Sequence, residues 1–308
     1  MKILVLSYFG WGVVYFKMDK VLSFPKLQTV AFSNALIDLC YSARNAEEDT
    51  IIFDLSKTEF ISPFGLALLT GTIAECQAQD KKAKYLKPKK GETQKFLSGI
   101  GFNGFFKLST NDEHRVASPH VQLRRLSQID YLLTDQIIDV FCHSLHLSQG
   151  VIGSLKLALN ELMTNVFDHS ESQRGCYVCA QSYNASKKIR LCIADFGIGI
   201  LSALRKVPKY KDLKDDYDAL KLSVVEGVSS RTDRTAGYGL THIQRFIKVN
   251  QGKMYMLSGA GKILWDYTEY KEKKQTMRND FQGTAIELEI NASEEGFYFL
   301  KSESDPIF

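Results

Sequence analysis

Leu155 to His169 reads LKLALNELMTNVFDH, and the organisation of the second half of the chain turns on it. Leu155, Leu159, Leu162 and Val166 recur at three- and four-residue steps, which predicts a helix with one face in a core. Glu161 and Asn165 stand four residues apart and are neighbours on a single helical face. A carboxylate beside an amide suits two tasks: polarising a water or hydroxyl, and giving an oxygen ligand to Mg²⁺, which prefers hard donors. Such a pair is also what a plain solvated stripe looks like, so its meaning depends on the segments around it.

Three further segments follow in order. Asp195 to Gly199 (DFGIG) comes straight after the apolar run IRLCIA. A strand that ends in an acid and two spaced glycines puts a carboxylate at a sheet edge, with backbone free to approach a ligand. Buried there, Asp195 would accept a hydrogen bond from an exocyclic amine such as that of adenine. Glu226 to Leu240 (EGVSSRTDRTAGYGL) places Gly237 and Gly239 just ahead of a helix that begins at Leu240. Backbone N–H groups at such a helix start attract phosphate, and Arg231 and Arg234 would add charge-assisted contacts. Finally, Gln282-Gly283-Thr284 opens the last strand.

In this order the four segments resemble the N box, the DxGxG box, the GxGL lid box and the closing GT pair of the GHKL superfamily, whose nucleotide site has the Bergerat fold. The resemblance covers about Ile129 to Ile290. It implies that Glu161 is the general base and Asn165 the Mg²⁺ ligand, and that Asp195 and Thr284 contact adenine. It also implies that Gly197 and Gly199 flank the nucleotide, and that Gly237 to Leu240 close a lid over the phosphates of ATP. Glu161, Asn165 and His169 look like the box of anti-sigma-factor serine kinases. Glu161, Leu162, Asn165 and Asp168 look equally like that of the chaperone, mismatch-repair and MORC ATPases. The sensor histidine kinase branch fits poorly, because His143 and His146 lack the acidic residue and proline expected around a phosphoacceptor.

The first half alternates strand and helix signals. Strands are expected at Gly12–Phe16, Thr50–Leu55 and Ala83–Leu86, and helices at Thr29–Ala43, Phe64–Gln79 and Glu92–Ile100, the pattern of a small α/β domain. Ile51 to Leu69 (IIFDLSKTEFISPFGLALL) resembles the STAS domain of anti-sigma-factor antagonists: a strand ending in Asp, a loop, then a helix opening on Gly-Leu. Where that family carries D-S-S-G-L with a phosphate-accepting serine, this chain has Ser62-Pro63-Phe64-Gly65-Leu66. Pro63 stands at the phosphorylated position and has no hydroxyl, so a docking or dimerisation module without chemistry is expected.

The polar stretch Ser109–His120 reads as a linker. Beyond it, helices at Asp130–Leu145 and Gln149–Asp168 precede strands at Cys176–Tyr183 and Lys188–Ile193. A long irregular stretch is expected up to Gly237. A helix at Leu240–Val249 and strands near Lys253–Leu257 and Thr284–Ile290 complete an α+β two-layer sandwich, one sheet backed by helices. The resulting division is an α/β STAS-like domain at 1–108, a linker at 109–120, a GHKL domain at 121–292 and a tail at 293–308.

The bulk numbers agree with a globular protein: 308 residues, 44% hydrophobic, 24% charged and a formal net charge of +4. That charge gives no basic stripe, so nucleic acid is not expected as a partner. Six scattered cysteines suit a reducing compartment. Cys176 and Cys179 form C-x-x-C within a strand, where an odd spacing sends them to opposite faces and argues against a metal site. The apolar start from Met1 to Phe16 is broken by Gly10 and Gly12 and is too short to span a bilayer. A cytoplasmic Mg²⁺-ATP-dependent regulator is expected, which hydrolyses ATP or phosphorylates a partner protein, with a homodimer as a further option. The alternative is a nucleotide-gated interaction protein with little turnover.

Overall fold

The computed structural model describes residues 19–25, 34–106, 120–228, 239–291 and 297–298. Its architecture is mixed α/β, with a parallel three-stranded sheet and an antiparallel five-stranded sheet. In the first half β1 (Lys20–Ser23), β2 (Thr50–Asp54) and β3 (Lys82–Leu86) run parallel in the order β1-β2-β3. The intervening α1 (Asn34–Arg44) and α2 (Pro63–Ala78) lie on the face to which β2 turns Ile51 and Phe53, and α3 (Gly91–Gly99) follows β3. Ser62 starts α2 as its N-cap: its Oγ accepts the Gly65 N–H at 3.1 Å. Pro63, at the first helical position, has no donor to leave unsatisfied.

The second half contains β4 (His120–Leu126), α4 (Tyr131–Ser144), β5 (His146–Leu147), α5 (Gln149–His169), β6 (Cys176–Tyr183) and β7 (Lys188–Asp195). These are followed by α6 (Gly199–Arg205), α7 (Asp216–Ser223), α8 (Gly239–Val249), β8 (Lys253–Asp266) and β9 (Lys271–Asn291). The large sheet is ordered β4-β6-β7-β9-β8. A two-residue β10 (Phe297–Tyr298) pairs in parallel with β5.

Strand side chains alternate between faces, and here both faces are apolar. Val178, Ile189, Leu191, Ile193, Met254, Ile286 and Leu288 meet α4, α5 and α8. Tyr177, Cys179, Cys192, Ala194, Tyr255, Leu257 and Ala285 meet α1 and α2 instead. Phe64 of α2 packs edge-on to Tyr255 with ring centroids 5.2 Å apart. A sheet expected to carry one helical layer thus carries two, the second drawn from the first half of the chain. Sandwiched between the two sheets, α2 is buried at every position from Pro63 to Ala74 and again at Cys76, which accounts for a helix apolar all round. Cys176 and Cys179 fall into the two different cores, as their spacing requires.

The stretch beyond β7 expected to be irregular holds α6 and α7. Both are short, and α7 is fixed by Asp215, whose side chain accepts the Asp218 N–H at 2.8 Å. β8 and β9 extend well past the expected strands and meet in a hairpin near Tyr267–Tyr270. The expected strand at Gly12–Phe16, the start of the first expected helix and most of the linker lie outside the described residues. Among the described residues no helix is long and apolar enough to cross a membrane.

The shared core makes a fragment of residues 120–291 expose Tyr177, Tyr255 and Leu257, a patch that soluble monomers seldom tolerate. Light scattering should show this fragment self-associating while the full chain does not. A monodisperse, cooperatively melting fragment monomer would show that α1 and α2 are dispensable covers.

Candidate functional site

A cleft open at its mouth lies between α5, α6, α8 and the sheet. Asn165, Asp195, Gly199, Leu240 and Thr284 all line it, although they come from five separate elements. Asn165 reaches it from the core-facing side of α5. Asp195 and Thr284 are cross-strand partners in the β7–β9 ladder, so strand register alone puts their side chains together. Glu161 sits one helical turn before Asn165, beside the first residue of α8. A Cβ at Gly239 would lie 2.9 Å from Glu161 Oε2, so the α8 start is pressed against this carboxylate. Leu240 follows at the rim. Arg231, Arg234 and Gly237 lie outside the described residues.

The turn after β7 is held by short contacts. Gly197 N–H donates to Asp195 Oδ1 at 2.9 Å, and Ile198 N–H donates to the Ser170 carbonyl at the end of α5 at 2.7 Å. A Cβ at Gly197 would lie 1.8 Å from that same carbonyl oxygen, so Gly197 packs the turn against α5 rather than facing the cleft. Gly199 has φ +77, a left-handed backbone natural to glycine, and begins α6. The next amide, of Ile200, donates to Ser258 Oγ at 2.9 Å, and Ser258 Oγ donates to the Gly283 carbonyl at 2.9 Å. Ser258 therefore ties the turn to β9 beside Thr284.

Asp195 is buried among apolar groups, and burial pushes its carboxyl up to about 7 against the opposing pull of the Gly197 and Thr284 N–H groups. Cys176 pairs with it across the β6–β7 ladder, and His169 of α5 lines the same cleft. A carboxyl of this kind gains by meeting a neutral N–H donor that enters the cleft. The apolar part of the wall includes Leu162, Val166, Ile200, Ala203, Leu204 and Ile286, with Ser170 and Ser223 among the polar lining. Three of these belong to α6, which sequence reasoning missed; Ile200, Leu201 and Leu204 at helical spacing were the available signal.

Among the described residues no group of three His, Cys, Asp or Glu side chains is placed to hold a metal. A Mg²⁺ carried by substrate phosphates needs only one or two protein oxygens, and the Asn165 amide in the cleft is such a donor. One amide oxygen is compatible with a metal that arrives already bound to phosphates.

Ser62, the hydroxyl nearest the position of the phosphorylated serine in the resembled loop, is fully buried and already bonded as a helix cap. No family model matches this chain, and no curated protein matches it.

Two measurements follow from these environments. Between about pH 4 and 7 native Asp195 holds a proton that the unfolded chain has lost, so stability falls as pH rises through this window and levels above it. Glu287, buried on the opposite sheet face beside Arg190 and Glu289, is also pushed up to about 7 and adds to the same slope. Urea denaturation of Asp195→Asn across that range should show a shallower slope than the wild type; an unchanged slope would mean that Asp195 titrates normally. For Ser62, incubation with labelled ATP should place no phosphate between Phe60 and Leu66, and Ser62→Ala should cost about 1 kcal/mol through loss of the cap. Stoichiometric phosphate on Ser62 by peptide mapping would overturn this.

Proposed function

We propose that the chain is a GHKL-type protein that binds Mg-ATP in this cleft, hydrolysing it or passing the γ-phosphoryl group to a protein partner. The observation that carries the reading is the convergence of Asn165, Asp195, Gly199, Leu240 and Thr284, singled out as a motif set, on one apolar slot with a buried carboxyl at its end. The arrangement of a helix-backed antiparallel sheet agrees with a Bergerat fold. The parallel sheet and α2 agree with a STAS-like unit, and the anti-sigma-factor kinases are the branch we favour.

In this reading Asp195 accepts the exocyclic amine of adenine, with Thr284 beside it. Ile200 and Leu204 cover the ring and exclude water. Amides at the start of α8 face the phosphates, where the helix dipole favours negative charge. Glu161, next to that helix start, takes the proton from the attacking water or partner hydroxyl. When bound, Mg²⁺ would offset phosphate charge with Asn165 as one oxygen ligand. A cytoplasmic, protein-binding regulator is the cellular role that fits.

Calorimetry should show binding of Mg-ATP and of ADP by the full chain. Asp195→Asn should weaken both by tenfold or more, because it alters recognition of the base. Glu161→Ala should abolish turnover and leave affinity within a few-fold, since a general base acts mainly in the transition state. Absence of nucleotide binding would sink the reading. Binding without phosphate release or transfer would leave a nucleotide-gated interaction protein.

A further inference from the structure

Asp195 and Phe196 are consecutive, yet they serve opposite sides of the sheet. Asp195 lines the cleft, whereas Phe196 is buried in the α1–α2 core. Its ring stands edge-on to Tyr177 at 5.8 Å and to Phe281 at 5.3 Å. On the α2 side it meets Gly71. A Cβ there would lie 1.8 Å from Phe196 Cε2 and 2.3 Å from Cζ, so the ring fills the space that a side chain at position 71 would need. The residue after Phe196 is pinned to α5 by Ser170, as described above. On the β9 side, Gly283 has φ +103 and a Cβ there would lie 2.7 Å from Phe196 Cα. Segment 195–197 is therefore wedged, with α2 behind it and the cleft in front.

One turn further along α2, Glu75 pairs with Arg174 at 3.0 Å, both side chains being largely buried. Arg174 belongs to the loop joining α5 to β6, and its carbonyl accepts Arg125 Nε from β4 at 2.9 Å. Helix α2 thus bears on the end of the cleft through Phe196, and through Arg174 on the loop that follows the helix carrying Glu161 and Asn165.

We infer that Phe196, seated on Gly71 of α2, is a positioning residue that fixes how far Asp195 projects into the cleft, so that nucleotide affinity depends on where α2 sits. The inference rests on the nucleotide reading of the cleft and adds a route by which the first half of the chain regulates it. A partner that shifts α2 changes nucleotide affinity, and by linkage bound nucleotide changes affinity for that partner by the same factor.

The test is calorimetric titration of the full chain with Mg-ADP, with thermal melting of each variant alongside. Gly71→Ala should drive the ring toward the cleft and weaken ADP fivefold or more without touching the nucleotide. Phe196→Leu removes Cε2 and Cζ, the two atoms nearest the new methyl, and should weaken ADP threefold or more by loosening the wedge. Combining the two returns the lost volume from the other side, so the double variant should bind ADP more tightly than Gly71→Ala alone. Relief of the overlap restores stability too, so affinities are compared at a temperature well below the melting point of every variant, where only a change of position moves them. A folded Gly71→Ala protein within fivefold of the wild type, or a double variant weaker than both singles, overturns the inference. If Gly71→Ala gives no cooperative melt, Phe196→Leu decides alone: a threefold loss with melting retained supports the wedge, and a smaller loss overturns it. A wild type that binds no Mg-ADP overturns the nucleotide reading and the wedge together. A wild type that binds it, with variants unchanged, overturns the wedge only.

Discussion

Along β7 the side chains divide between two hydrophobic cores, Ile189, Leu191 and Ile193 on one side and Cys192 and Ala194 on the other. A strand that is apolar on both faces gains its burial only if something covers each face, at about 1.5–3 kcal/mol for every large aliphatic side chain removed from water. The helices α4, α5 and α8 cover one face, and α1 and α2 cover the other. The rest of the molecule follows from that requirement. The parallel sheet needs α1 and α2 to bury Ile51 and Phe53, and the antiparallel sheet needs the same two helices to bury Tyr255 and Leu257. One helical layer therefore joins two sheets that would each be half-naked alone.

The same alternation creates the cleft. Where β7 ends, the turn must bring the backbone past α5 and into α6, and glycines at 197 and 199 allow approaches that a side chain would block. The acid that closes the strand is left among apolar walls, where its charged form is costly. This is a site whose energy favours arrival of a hydrogen-bond donor, and its neighbours determine what shape of donor fits.

Much of this was written locally in the sequence. The three- and four-residue spacing of Leu155, Leu159, Leu162 and Val166 gave α5 nearly to the residue, and the run IRLCIA gave β7. The two-residue period sent Cys176 and Cys179 to opposite faces. The strand β4, opened by the polar His120 and holding two arginines, was hidden because its alternation is weak in HVQLRRL. Helices α6 and α7 are short, and contacts distant in sequence hold them, Ser258 at α6 and Ala260 at α7 among them. The second cover was legible in part: PFGLALLTGTIA has no polar side, and such a helix has to be buried on every side. What it would be buried against could not be read, since pairing across the chain leaves no local mark.

Sharing one helical layer between two sheets also orders the events of synthesis. Helix α2 is complete long before β9, the strand that lies between β7 and β8 and holds the large sheet together. Until β6 and β7, and last of all β9, leave the ribosome, the flank of α2 that they cover is without its partners, and all of these pairings are of long range. Contacts of such long range form slowly, and surfaces awaiting them are prone to mispairing. The nascent chain thus passes through a prolonged stage in which its most hydrophobic helix is half uncovered, a stage at which holding chaperones would have most to bind.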